Sequence, residues 1–278
     1  MSRVIELLAI NFYLCPMNLD LTGKTALVCG STQGIGKASA IELAMLGANV
    51  ILLARNEESL KTSLKDLDVS KGQKHNYICA DFQVPNELKS RIEKFVDSNT
   101  TIHILVNNTG GPASGPIQGA KIEEFIQAFN NHLVCNHILV QSLLEGMKKD
   151  KYGRIINIIS TSVKIPLKNL GVSNTIRAAV ANWSKTLATE VASDGITVNN
   201  VLPGATLTGR LQSIIENISK NKSKSVDEIQ NEMIKEIPMG RFADASEVAN
   251  VVAFLASPAA GYITGINVPV DGGRTGSL

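Results

Sequence analysis

The chain has 278 residues, with 27 Lys plus Arg against 25 Asp plus Glu and a formal charge of +2. Hydrophobic residues make up 44% and charged residues 19%, too apolar a mixture for disorder to be the main state. So small a net charge builds no strong field, which excludes nucleic acid as an expected partner.

Val4 to Leu14 is an apolar run interrupted by Glu6 and Asn11. It is too short to cross a bilayer, which takes ~20 apolar residues, so no membrane partner is expected. Phe12-Tyr13-Leu14-Cys15-Pro16 offers no small-residue cleavage site for a signal peptide. We expect residues 1–16 to be an extension and Met17 to be the natural start; the competing reading is an arm packed on a partner subunit. Cys15, Cys29, Cys79 and Cys135 form no C-x-x-C pair and suit neither a zinc site nor a disulfide scaffold. They read as buried small hydrophobes of a reducing, cytoplasmic compartment, and no metal is expected.

From Lys24 onward, short β-rich runs alternate with helical stretches. Strands are predicted at Thr25–Cys29, Asn49–Ala54, Lys74–Cys79, Ile102–Asn107, Gly153–Ile159, Ile196–Leu202 and Ile266–Val270. Helical stretches such as Ile35–Leu46, Glu57–Leu67 and Asn86–Val96 lie between them. This alternation predicts an α/β fold: one Rossmann-type, doubly wound parallel sheet of about seven strands with helices on both faces, spanning residues 17–278. Several strands are continuous apolar runs, as a sheet covered on both faces requires. Two segments break the alternation. Thr109-Gly110-Gly111-Pro112-Ala113-Ser114-Gly115-Pro116 is turn-rich, and residues 205–240 carry the polar run Lys220-Asn221-Lys222-Ser223-Lys224-Ser225. Both follow the carboxyl ends of strands, where ligands of open α/β sheets sit. The second is expected to be a mobile lid; a solvated surface insertion is the alternative.

After the first strand, Gly30-Ser31-Thr32-Gln33-Gly34-Ile35-Gly36 spaces three glycines as G-x-x-x-G-x-G. Such a turn lets backbone approach a pyrophosphate at the N-terminus of the next helix. Strand before and helix after raise a signal that is weak alone. The second strand ends Ala54-Arg55, where a carboxylate would select NAD. A guanidinium suits a 2′-phosphate instead, so NADP(H) is the expected cofactor. Arg55 could equally cap the strand end or pair with Glu57 or Glu58.

These residues resemble the short-chain dehydrogenase/reductase superfamily from about Leu19 to Gly273, in particular the branch around 3-oxoacyl-acyl-carrier-protein reductase. Asn107-Asn108-Thr109-Gly110 is similar to the Asn-Asn-Ala-Gly motif, and Pro203-Gly204 with Thr208 to the segment against the nicotinamide. Pro238-Met239-Gly240-Arg241-Phe242, Tyr262-Ile263-Thr264-Gly265 and Val270-Asp271-Gly272-Gly273 match the C-terminal signature. The resemblance implies cofactor contacts from Gly30, Ser31, Gln33, Gly34, Ile35, Gly36, Arg55, Asp81, Phe82, Asn108, Gly110, Arg177, Pro203, Gly204 and Thr208.

The family works with a Ser, a Tyr, a Lys four residues on, and a helix Asn. Ser160 holds the Ser position, and Arg177-Ala178-Ala179-Val180 resembles the Lys-Ala-Ala-Val segment. That alignment puts Arg177 at the Lys position, Ser173 at the Tyr position and His132 at the Asn position. The separation 173 − 160 = 13 equals the family spacing, so no gap is needed. Residues four beyond Tyr13, Tyr77, Tyr152 and Tyr262 are Met17, Asp81, Ile156 and Ile266, so no shifted alignment restores Tyr-x-x-x-Lys.

Serine is a far weaker acid than a phenol of pKa ~10, and arginine cannot pass a proton on. Losing general acid–base catalysis costs about 10²–10⁴-fold, so hydride transfer need not vanish. His132 is either a donor through water, titrating near neutrality, or a helix histidine bonded inside the fold. Lys164 and Lys168 are further donors or simply solvated. Val180, Trp183, Leu187 and Val191 form one apolar helix face, which is core or, by resemblance, an interface of a homo-oligomer, dimer or tetramer. The expected function is NADP(H)-dependent reduction of a carbonyl, on a small ketone or an acyl-thioester, with a non-standard proton relay. The alternative is an inactive dinucleotide-binding homologue serving as sensor or structural partner.

Overall fold

The computed structural model describes residues 17–96 and 100–277. The expectations for residues 1–16 and for Cys15 therefore lie outside the described residues. Seven parallel strands form one sheet in the order β3-β2-β1-β4-β5-β6-β7. They are β1 Thr25–Cys29, β2 Asn49–Ala54, β3 Asn76–Cys79, β4 Ile104–Asn107, β5 Gly153–Ile158, β6 Ile196–Pro203 and β7 Asn267–Val270. The helices are α1 Gly34–Met45, α2 Glu57–Leu64, α3 Pro85–Val96, α4 Ile122–Phe129, α5 Cys135–Lys149, α6 Gly171–Val191, α7 Gly209–Lys222, α8 Val226–Lys235 and α9 Ala245–Ala256. The strand order reverses between β1 and β4, which opens a crevice at their carboxyl ends.

The apolar strands alternate between two cores. Ala26, Val28, Val50, Leu52, Ile104, Val106, Ile156 and Val201 face α1 and α9. Leu27, Cys29, Ile51, Leu53, Leu105, Ile155 and Val198 face α3, α5 and α6. Each fully buried Leu, Ile or Val contributes about 1.5–3 kcal/mol, so both layers are held firmly to the sheet. Within α6, Val180 and Val191 are buried in the core, and Trp183 and Leu187 are half-buried against the same clusters.

Two predicted strands start two residues later than expected, and histidines explain it; β7 starts one residue later, at Asn267. At β3, expected from Lys74, the His75 ring turns inward: its Nδ1 accepts from Val50 N at 3.0 Å and its Nε2 meets Asp68 O at 2.8 Å. At β4, expected from Ile102, His103 Nδ1 accepts from Thr25 N at 3.1 Å. Helix α2 is shorter than the predicted run to Leu67, ending at Leu64 in a turn that still buries Leu67.

Residues 205–240 form α7 and α8 rather than an open loop. Leu211, Ile215, Ile229, Ile237 and Phe242 give these helices a small apolar core of their own. Thr208 caps α7 and Ser225 closes a capping box with Glu228 on α8. Of the exposed polar run, Lys220, Asn221 and Lys222 end α7, and Ser223, Lys224 and Ser225 turn the chain into α8. Cys29 and Cys135 are buried and Cys79 half-buried, all free. Burial pushes the Cys29 thiol up and the Cys135 thiol up to about 12, which makes both inert.

Candidate active site

The crevice is built from the carboxyl end of β1 outward. Gly30 and Gly34 have φ of +57° and +53°, a left-handed backbone that glycine adopts without strain. A Cβ at Gly36 would lie 2.2 Å from Gly30 O and 2.6 Å from Asn108 Nδ2, so only glycine fits where the loop enters α1. Asn108 Nδ2 donates to Cys29 O and Gly30 O, both at 3.2 Å, and ties the end of β4 to this loop. Helix α1 begins without a side-chain cap and has no acidic residue in its first turn. Its free N–H groups and dipole are therefore open to an anion, and the residues suit a dinucleotide pyrophosphate.

Ser31 is sealed beneath the loop, with Oγ 3.4 Å from Leu53 O, whereas Gln33 is exposed and Ile35 half-buried. Arg55 is exposed at the end of β2. Glu57 and Glu58 bind Lys61 instead, so neither neutralises Arg55. Asp81 accepts from Gln83 N at 2.9 Å, and the Phe82 carbonyl accepts from the Cys135 thiol at 3.3 Å. On the far side, Gly204 N donates to Val270 O at 2.9 Å, and Pro203 closes β6. Thr208 leans over the glycine loop, its Cγ2 only 3.2 Å from where a Cβ on Gly34 would sit.

Ser160 follows β5 and its Oγ accepts from Ser162 N at 3.1 Å. Ser173 and Arg177 stand four apart on α6, hence on one face. Arg177 Nη1 donates to Ile158 O at 2.8 Å, which holds the guanidinium beside the end of β5. Desolvation first, and then the charge of Arg210, push its pKa down to about 10, so it stays cationic at neutral pH.

Helix α4 runs into α5 through a π-helical stretch at Asn130–Val134, and this turns His132 inward to 3% exposure. His132 Nδ1 lies 2.5 Å from Thr109 Oγ1. Burial, and then Arg177, push its pKa down to about 2, with a Gly110 backbone hydrogen bond acting the other way. Of the two readings open to His132, these contacts match the helix histidine bonded inside the fold rather than a group titrating near neutrality. Lys164 is half-buried and Lys168 exposed, both on the segment between Ser160 and Ser173.

Two features escaped sequence reading. Thr109 stands where the family motif has Ala, and it is the residue that bonds His132, which stands where the family has Asn. Arg210, in the first turn of α7, donates from Nη2 to Pro112 O at 2.6 Å and covers Gly111. Its only sequence signal is its place two residues after Thr208. Behind the cleft, Asn107, Asn157, Asn200 and Asn267 are register partners across β4 to β7 and bond one another in a row. Among the described residues, Asn107 Oδ1, Ser162 Oγ and Asn174 Oδ1 are buried without a partner. All three belong to the segments that frame the cleft.

A seven-stranded parallel sheet with a glycine cradle at its β1–α1 turn defines a dinucleotide-binding oxidoreductase fold. The family description "Enoyl-(Acyl carrier protein) reductase" matches residues 30–275. The chain belongs to this family, within the short-chain dehydrogenases/reductases. It is 30% identical over 259 residues to the NADPH-dependent reductase BacG of Bacillus subtilis, covering 93% of this chain and 100% of that protein. It is 36% identical over 258 residues to the 3-oxoacyl-[acyl-carrier-protein] reductase FabG of Vibrio cholerae, covering 92% of this chain and 98% of the relative. The crystal structure of L-sorbose reductase from Gluconobacter frateurii, complexed with NADPH and L-sorbose, superposes with a TM-score of 0.88. That pair is 31% identical and covers 94% of this chain and 100% of the other.

Proposed function

We propose that the chain is an NADP(H)-dependent reductase that converts a carbonyl to an alcohol through a rebuilt proton relay. The observation that carries this reading is the Thr109–His132 contact at 2.5 Å. The two positions depart from the family pattern together and interlock, as a remade site does and a decayed one does not. NADPH, when bound, supplies the hydride. The glycine cradle and the α1 N-terminus suit its pyrophosphate, and the unneutralised Arg55 suits a 2′-phosphate. The names of BacG and of the sorbose reductase complex point to the same cofactor.

The Ser160 and Ser173 hydroxyls hold the carbonyl oxygen. Arg177, held at the end of β5 and on the same helix face as Ser173, stabilises the negative charge that develops on that oxygen as the carbon accepts hydride. The oxygen then takes its proton from cleft water, since neither Ser173 nor the neutral His132 is acidic enough. Hydride on carbon and proton on oxygen complete the alcohol. His132 and Thr109 shape the cleft floor and keep Gly110 in place. The acyl-thioester class, drawn from FabG, and small ketones, drawn from sorbose reductase, are the substrates to test. The segment 205–240 acts as the lid, with Thr208 already against the cradle.

Assembly as a homo-oligomer belongs to the same reading. An apolar surface that suits it is α4, where Ile122, Ile126 and Phe129 are exposed on one side. Light scattering of the purified chain measures this directly.

The test is NADPH consumption with a panel of ketones and acyl-thioesters. We expect substrate-dependent turnover that Ser160→Ala reduces by at least about tenfold. Tight NADPH binding with no turnover on any of them would instead support the sensor or structural-partner reading, which the missing Tyr and Lys favour.

A further inference from the structure

The segment 205–240 is not packed solid. Leu211 and Ile215 stand four apart on α7, and Gln230 and Ile234 four apart on α8, so each pair shares one helix face. Between the two faces lies a pocket of about 150 Å³. Its floor is Leu211, Ile215 and Phe242, all buried. Leu207, Thr208, Gln230 and Ile234 form its rim, and Leu207 is 54% exposed there. Gln212 also lines it, with Nε2 donating to Glu216 Oε1 at 2.8 Å along its own helix. Packed interiors hold few hollows larger than a water molecule, and apolar ones stay dry.

The pocket adjoins the crevice through Thr208. That residue lines the pocket, caps α7, and sets its Cγ2 3.2 Å from where a Cβ on Gly34 would lie. Two residues on, Arg210 Nη2 donates to Pro112 O at 2.6 Å. The first turn of α7 therefore reaches both the glycine cradle and loop 109–116. A group held in the pocket is one side chain away from the cradle that suits the cofactor.

We propose that this pocket receives a hydrocarbon arm of the substrate, of about six carbons, so that the carbonyl reduced in the crevice carries an apolar chain rather than a row of hydroxyls. The proposal rests on the reductase reading and narrows its substrate class. An apolar cavity of this size, walled by Leu, Ile and Phe, takes a benzene-sized group of about six carbons. The hydroxyls of a sugar-like ketone would lose their water against Leu211, Ile215 and Phe242, whose side chains offer no hydrogen bond in return. A hydrocarbon arm has no such loss, and it also takes the exposed face of Leu207 out of water.

Methyl ketones from 2-butanone to 2-nonanone lengthen one arm a methylene at a time, which makes the test direct. With saturating NADPH, kcat/KM should rise about fourfold per methylene and level off once the arm fills the pocket. Ile234→Phe fills the pocket from its rim. It should erase the gain of the longer ketones and leave 2-butanone within about twofold of the parent. Gln230→Leu makes the rim more apolar and should steepen the rise. A flat series in the parent overturns the proposal. So does a rise that both variants leave unchanged, which would place the arm elsewhere in the crevice. A readout without turnover is the melting temperature of the NADPH-bound chain. The ketone 2-octanone should raise it in the parent more than in Ile234→Phe, and 2-butanone should not. If NADPH binds but no ketone reacts, the reductase reading fails, and the melting shift still decides the pocket.

Discussion

Arg154 and Arg177 are both buried, at opposite ends of one parallel sheet, and they are treated differently. At the amino end, Arg154 donates to Gly153 O at 2.8 Å, Gly195 O at 3.3 Å and Ser257 O at 3.4 Å, and stacks 4.1 Å over Tyr152. At the carboxyl end, Arg177 has a single carbonyl. The histidines repeat the contrast. His103 links Thr25 N to Asp150 Oδ2, using both ring nitrogens between two structural segments. His132 bonds Thr109, at the start of the turn-rich loop after β4 that frames the cleft. The three orphaned buried polar atoms also lie toward the carboxyl end. A sheet edge that only holds the fold saturates its polar groups. An edge that receives a ligand keeps bonding capacity in reserve.

The largest effect should come from the saturated end. Arg154→Ala removes three carbonyl partners and the stacking on Tyr152, and should cost about 3 kcal/mol of stability in urea denaturation. Next, Arg177→Met should lower kcat/KM about 100-fold while leaving the melting temperature equal or higher, since it removes an uncompensated buried charge. Equal stability losses in these two variants would break the comparison.

His132 gives the third effect. Its ordinary pKa is 6.5 and the folded chain holds it near 2, so only the unfolded chain takes up a proton between those values. Its contribution to stability is full above about pH 6.5 and shrinks as pH falls, by about 2 kcal/mol at pH 5. Denaturation profiles of His132→Asn should be flatter on the acid side. Some slope remains, because burial also pushes His103 down. The smallest effect is at the exposed Arg55. Arg55→Glu should shift the NADPH-to-NADH preference by about tenfold in binding titrations, a change confined to the ligand-receiving end.

Much of this contrast is visible in the sequence in outline only. The glycine loop, the order of strands and the landmark Arg177-Ala178-Ala179-Val180 are local patterns, and local patterns survive translation into structure. Ser160, Ser173 and Arg177 could be numbered because the spacing of 13 needs no gap. The state of His132 could not be read in the same way. Its protonation depends on burial and then on Arg177, 45 residues after it, counted as 177 − 132. The start of β3 was misjudged for the same reason, since His75 takes its partner from β2.

The sequence alone determined the class of fold, the dinucleotide loop and the absence of a Tyr-x-x-x-Lys pair, because each depends on residue type and near spacing. Only the tertiary structure decided that Thr109 meets His132, that Arg210 of α7 reaches the loop at Pro112, and that four asparagines align across β4 to β7. Those facts depend on strand register and helix placement, which bring together residues that no periodicity along the chain connects.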